Sequence, residues 1–298
     1  MMKDKIRIII TDSGLGGLGF SAGLAERLKA ETCFREVELI FFNCCPSAEH
    51  GYQALETNEQ RSNFFSRALT AVSEKFSPDL IIIACNSLSA IYKDTQFAKS
   101  VQIPVIGIIE SGTQCVSESF NEDAELNMLM FATPTTVSAG VHKQILVESG
   151  FSPERLFYQE CRGLPRAIAY GDKAKIKDSI NDFMDKAVRQ LEEKPFAISL
   201  FCTHFAYVRE IFERASRQYS NFSGQIIDPD SALLDLVLSK CESGRFDSTD
   251  LSIKVVSQIQ QSDQMKNSII PFIKDISPET VQALKDDIYL PGLFGCSL

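Results

Sequence analysis

Histidine is scarce in this chain of 298 residues: His50, His142 and His204 are the whole set. Its nine cysteines include no Cys-x-x-Cys pair, so neither residue type builds a structural zinc site. The cysteines (Cys33, Cys44, Cys45, Cys85, Cys115, Cys161, Cys202, Cys241 and Cys296) are odd in number and widely scattered, which excludes a disulfide framework. No stretch approaches the ~18 apolar residues of a membrane span. No dense Lys/Arg run occurs, and 30 basic against 39 acidic residues leave a net charge of −9, so a nucleic-acid partner is not expected. The opening Met1-Met2-Lys3-Asp4-Lys5-Ile6-Arg7 is too broken by charge for a secretory signal. A cytoplasmic protein with neither membrane nor nucleic-acid partner is the expectation. The sequence leaves its oligomeric state open, with a homodimer the assembly considered.

What is present is ordinary globular composition, 44% hydrophobic and 23% charged, long enough for two domains at roughly 150 residues each. Lys5–Thr11, Val37–Phe42, Leu80–Ala84 and Ile103–Ile109 read as buried strands separated by helical patterns, the longest over Glu56–Phe76. That alternation predicts βαβ units and a mainly parallel sheet. The pattern then restarts. Leu126–Phe131, a short strand at Leu156–Tyr158 and Phe196–Phe201 are strands; a helix running to about Ser149 and another over Asp172–Leu191 lie between them. A last strand at Gln225–Ile227 precedes helical segments near Leu251–Phe272 and Pro278–Lys285. The expected architecture is α/β, in two similar, pseudo-symmetric halves with mainly parallel sheets, packed together.

Gly14-Leu15-Gly16-Gly17-Leu18-Gly19 fits the G-x-G-x-x-G dinucleotide fingerprint and follows a strand. The fingerprint also needs an acidic residue at the end of the second strand, where Asn43 stands, and Asp12 before the glycines would repel a pyrophosphate. A tight turn presenting Asp12 and Ser13 at the sheet edge fits better. Ala84-Cys85-Asn86-Ser87 and Phe201-Cys202-Thr203-His204 each place a thiol where open α/β sheets bind ligands, beside a helix N-terminus that favours thiolate. One such thiol reads as a buried small hydrophobe. Two in equivalent places suit proton transfer at an amino-acid α-carbon, one removing the proton and the other delivering one to the opposite face. Asp12 and His204 stand near them as proton-handling partners. Ser13, Asn86, Thr133, Thr136 and Thr203 are neutral donors for a carboxylate and equally good helix caps. Cys44-Cys45 reads as incidental, and neither His50 nor His142 has a partner in the sequence. Two other readings stay open: a non-catalytic amino-acid-binding protein and a dinucleotide-dependent oxidoreductase.

Asp12-Ser13-Gly14-Leu15-Gly16-Gly17-Leu18, Ala84–Ser87, Gly107–Gly112, Ala132–Val137 and Cys202-Thr203-His204 together resemble the cofactor-independent aspartate/glutamate racemase superfamily. The closing Cys-Thr-His resembles its glutamate branch. The resemblance implies racemisation of glutamate without a cofactor or metal, supplying D-glutamate for peptidoglycan. By it, Cys85 and Cys202 are the two bases, assisted by Asp12 and His204. Ser13, Gly51, Asn86, Ser87, Thr133, Thr136 and Thr203 hold the amino acid. It also implies a first α/β domain of residues 1–110 plus 224–298 and a second of 111–223, with the active site in the cleft between them. Two departures bear on substrate choice. Glu49-His50-Gly51 replaces the family's Pro-Tyr-Gly loop, and Cys161-Arg162-Gly163-Leu164 leads to Ala169-Tyr170-Gly171, where the family tends to carry a Glu. Aspartate or another amino acid is the alternative substrate.

Overall fold

The computed structural model describes residues 3–47, 51–120 and 125–295. In chain order the first half runs β1 (Lys5–Asp12), α1 (Leu18–Glu31), β2 (Glu36–Asn43), α2 (Asn58–Phe76), β3 (Leu80–Ile83), α3 (Asn86–Tyr92), α4 (Gln96–Ser100), β4 (Val105–Gly107) and α5 (Ile108–Phe120). The second runs β5 (Asn127–Ala132), α6 (Pro134–Ala139), α7 (Val141–Glu148), β6 (Leu156–Glu160), α8 (Leu164–Ala169), α9 (Lys173–Val188), β7 (Phe196–Phe201), α10 (Thr203–Ala206), α11 (Arg209–Ser216) and β8 (Phe222–Ile227). Then follow α12 (Pro229–Leu238), β9 (Asp250–Ser257), α13 (Asp263–Ile273), α14 (Pro278–Lys285) and β10 (Ile288–Tyr289).

Among the described residues the strands form a six-stranded sheet, β10-β9-β2-β1-β3-β4, and a four-stranded one, β6-β5-β7-β8, with every pairing parallel. Both faces of each sheet are buried, which is why the strands read as continuous apolar runs. On the first sheet Ile8, Ile10 and Leu39 point into one core, and Ile9, Ile40 and Phe42 into the other. On the second, Leu129 and Phe131 face one core while Met128 and Met130 face the other.

The two sheets share a local topology. The chain leaves β1 for β2 on one side and returns to β3 on the other; likewise β5 lies between β6 and β7. Such a switch point opens a crevice at the carboxyl ends of the central strands. Register then places the functional residues. Thr11 pairs with Ile83 and Ala132 with Phe201, so Ser13 falls opposite Cys85 and Thr133 opposite Cys202.

Three elements differ from the sequence expectation. Residues 251–257 are not helical: β9 runs parallel beside β2, its Leu251, Ile253 and Val255 packing on the core while Lys254 Nζ reaches Glu38 at 2.5 Å. Its alternation over so few residues was overridden by the helical run that follows. The fourth strand is only Val105–Gly107, because Ile108 already opens α5. The helix after Thr133 is two helices, broken at Gly140, whose φ of +65° favours glycine. The strand Phe222–Ile227 pairs with β7, so the second sheet continues past the boundary expected at residue 224.

Candidate active site

Cys85 and Cys202 line one cavity of about 540 Å³, each as the N-cap of the helix that follows its strand. Ser13, Gly51, Asn86, Ser87, Thr133, Thr203 and His204 line it too. Asp12 and Thr136 do not; they stand behind it, 1% and 0% exposed. Glu49 and His50 lie outside the described residues.

The first half supplies one thiol and its support. Ser13 Oγ lies 3.3 Å from Cys85 Sγ. Ser87 Oγ is 2.7 Å from Thr133 Oγ1 and 3.0 Å from Thr136 Oγ1, and the two threonine oxygens are 3.1 Å apart. This hydroxyl triangle joins α3 to the start of α6. The second half supplies Cys202 and Thr203, whose Oγ1 donates to Asp12 Oδ2 at 2.9 Å. The Gly14 N–H donates to Asp12 Oδ1, also at 2.9 Å.

The glycine motif is explained by this junction. A Cβ on Gly16 would run into Thr203 Oγ1 and lie 2.5 Å from His204 Nδ1; one on Gly19 would lie 3.0 Å from the Tyr207 ring. Tyr207 also accepts a hydrogen bond from the Gly19 N–H and donates one to Leu15 O. These glycines let the loop after β1 pack against α10, a role that needs no phosphate.

The electrostatics are set by burial. Desolvation raises Asp12 to about 6, despite the hydrogen bonds that favour its anion. His204 is pushed down to about 4 and is neutral at pH 7. Cys85 is raised to about 11 by burial and then by the Asp12 charge, while Ser13 acts against both. Cys202 is raised further, by burial and by the charge Cys85 would carry. This departs from the expectation that a helix N-terminus favours thiolate at each cysteine. The helices behind them are short, and desolvation outweighs the field of their N-termini. The two thiols also oppose each other's ionisation, so the state favoured on deprotonation has one thiolate and one thiol.

Several residues with no sequence signal also meet here. His142, without a partner in the sequence, lies 2.9 Å from Asn86 Oδ1 through Nε2 and stacks on Phe201 at 4.0 Å. Cys45 lines the cavity, with its thiol donating to Ser47 O at 3.2 Å, while Cys44 is fully buried against the Asp12 carbonyl. Arg162 and Arg166 are the charged side chains among the described residues lining the cavity. Arg162 pairs with Glu160 at 2.9 Å, and the Arg166 guanidinium lies 5.1 Å from the Tyr170 ring centroid. Their position at a strand end, just after Cys161, was the available clue. Gln260, three residues past β9, lines the cavity as well, and the helix expected over that stretch gives no signal for it. Among the described residues, no group of three or more His, Cys, Asp or Glu side chains is placed to hold a metal ion, and no helix is long and apolar enough to cross a membrane.

The sequence profile of the Asp/Glu/hydantoin racemase family matches residues 15–237. A glutamate racemase from Aquifex pyrophilus is 23% identical over 231 residues, covering 76% of this chain and 80% of that protein. Two solved structures share the fold. The glutamate racemase of Campylobacter jejuni superimposes with a TM-score of 0.67 at 20% identity, over 90% of this chain and 98% of that one. That of Francisella tularensis, in complex with D-glutamate, gives 0.68 at 18% identity, over 91% and 94%. With three quarters of its length matched, and with the strand-end cysteines set in one cavity, the chain belongs to the Asp/Glu/hydantoin racemase family.

Proposed function

We propose that this protein is a glutamate racemase that interconverts L- and D-glutamate without a cofactor, using Cys85 and Cys202 as its two bases. The observation that carries the reading is the placement of both thiols, at equivalent strand ends of two sheets, on one cavity. The cysteine facing the α-hydrogen, as thiolate, takes that proton: the C–H bond breaks and an S–H bond forms. The other thiol gives its proton to the opposite face, where the new C–H bond forms. The product leaves with the two protonation states exchanged. Donors at the strand ends, among them Asn86, Ser87, Thr133 and Thr203, hold the α-carboxylate and stabilise the charge that develops on it. Asp12 and His204 support the cysteines of their respective halves. Thr136 positions Ser87 and Thr133 from behind.

A net charge of −9 opposes an anionic substrate at long range. Close in, the charged side chains that line the cavity are Arg166 and the Glu160-paired Arg162, and this basic lining supports an amino acid with an acidic side chain. The α-ammonium of the substrate provides the positive charge that two buried thiols need before one can ionise. A cytoplasmic role in supplying D-glutamate for peptidoglycan accords with eight free cysteines among the described residues.

The test is proton NMR of L-glutamate, D-glutamate, L-aspartate, D-aspartate and L-glutamine with the enzyme in D2O. Loss of the α-proton signal from both glutamate enantiomers, faster than from aspartate or glutamine, is expected. Exchange in aspartate alone would reassign the substrate. Glutamine exchanging as fast as glutamate would contradict a role for the arginines, and no exchange in glutamate would overturn the proposal.

A further inference from the structure

His142 touches the neighbour of each active-site cysteine. It is the second residue of α7, is 0% exposed, and lies with its ring 4.0 Å from that of Phe201, the residue before Cys202, at an interplanar angle of 19°. Its Nε2 is 2.9 Å from Oδ1 of Asn86, the residue after Cys85. Asn86 is 2% exposed and lines the cavity, and its Nδ2 is buried with no hydrogen-bond partner in the protein. The second imidazole nitrogen, Nδ1, is likewise buried and unpartnered.

These facts fix a proton. If Nδ1 carried the hydrogen, a buried N–H would be orphaned, and buried N–H groups without partners are rarer than buried acceptors in that state. With the hydrogen on Nε2, the imidazole donates to Asn86 Oδ1 and leaves a bare lone pair at Nδ1. The asparagine amide is then held in one of its two flips, with its NH2 group unspent. That flip decides what Asn86 recognises: two N–H donors suit a carboxylate, whereas a turned amide would present an oxygen and repel it. Burial holds His142 far below the ordinary imidazole range, at about 3, so the donor persists across physiological pH.

We infer that His142 is a positioning residue, which locks the Asn86 amide with its NH2 toward the substrate carboxylate and ties the two cysteine-bearing strand ends together. The inference rests on the racemase reading for the identity of the substrate, but not for the orientation of the amide. His142→Phe keeps an aromatic ring for Phe201 and removes the donor; His142→Gln keeps a donor at a similar reach and removes the ring. For glutamate, His142→Phe is expected to raise KM about tenfold or more, the scale of a hydrogen bond to a charged group. His142→Gln should stay within about threefold of the parent, and kcat should change less than KM in both. In an Asn86→Ala background, His142→Phe should add less than about twofold, because the group it positions is gone. The same penalty in both backgrounds would make His142 merely structural and overturn the inference. Long-range 1H–15N correlation of the imidazole, read on the parent protein without substrate, should give the Nε2–H tautomer. The Nδ1–H tautomer would overturn it as well. If glutamate α-protons fail to exchange with the parent enzyme, the substrate reading falls while the tautomer still decides this one.

Discussion

At Asp12, two hydrogen bonds that favour a carboxylate, from Thr203 Oγ1 and the Gly14 N–H, fail to outweigh complete burial, and the group sits at about 6 instead of 3.8. A carboxylate raised in the folded state costs stability once the pH exceeds its unfolded value. Here the cost grows from about pH 4 and is complete above about pH 6, reaching about 3 kcal/mol. Asp12→Asn should therefore raise the thermal midpoint at pH 8, with the gain vanishing near pH 4, while racemisation drops. A variant less stable than the parent at pH 8 would contradict this account of the buried charge. The cysteines follow a different logic, because their thiols are already neutral at rest. Cys85→Ala and Cys202→Ala should each lower racemisation by ~10²-fold or more with the fold intact, as circular dichroism would show. Full activity in either would sink the two-base scheme.

Elements carry the next layer. The glycine loop between β1 and α1 packs against Thr203 and His204 at van der Waals limits, so Gly16→Ala must push α10 away from the cavity. We expect a loss of about 1–3 kcal/mol in urea unfolding, the usual range for overpacking, with a larger loss of activity. Little change in either would mean that the loop can yield. The same loop shows how far the sequence could be read. Its glycines, the isoleucine run of β1 and the thiols after β3 and β7 were legible, because a parallel strand buried on both faces is an unbroken apolar run with its chemistry at the end. The strand β9 was not: its alternation, with Ser252 and Lys254 between apolar residues, is too short to stand against the helical run that follows. The pairing of His142 with Asn86 had no local signature, and the arginines of the α8 region had only their place at a strand end. One partner lies 56 positions away, and the arginines gain their meaning from a cavity that exists only once the two sheets face each other.

At the scale of the whole molecule, two sheets of the same local topology meet with their strand ends facing one cavity. The junction is held by buried polar groups: Thr203 with Asp12, the Ser87–Thr133–Thr136 triangle, and His142 with Asn86. Two of the groups there are histidines held neutral, His142 at about 3 and His204 at about 4, against 6.5 unfolded. As pH falls through 6.5 the unfolded chain takes up protons at both while the folded chain does not, so stability is lost from there toward pH 3. Asp12 opposes this between about 6 and 3.8, and so do Asp228 and Asp230, whose carboxyls burial also raises. The histidine share is therefore read by difference: between pH 6.5 and 4 the thermal midpoint of His142→Phe should lose less, relative to its value at pH 7, than that of the parent, and an equal loss would contradict the burial of a neutral imidazole.

The central claim is that two opposed cysteines serve one α-carbon, and isotopic labelling tests it most directly. L-Glutamate is converted in D2O, the reaction is stopped at low conversion, and the α-deuterium content of each enantiomer is measured by mass spectrometry after chiral separation. With two bases the proton removed by one thiol is not the one delivered by the other. The D-glutamate formed should then carry deuterium while the remaining L-glutamate stays protonated, and the same should hold in reverse from D-glutamate. Deuterium appearing equally in recovered substrate and product would mean that a single base works both faces, and the paired-thiol account would be wrong.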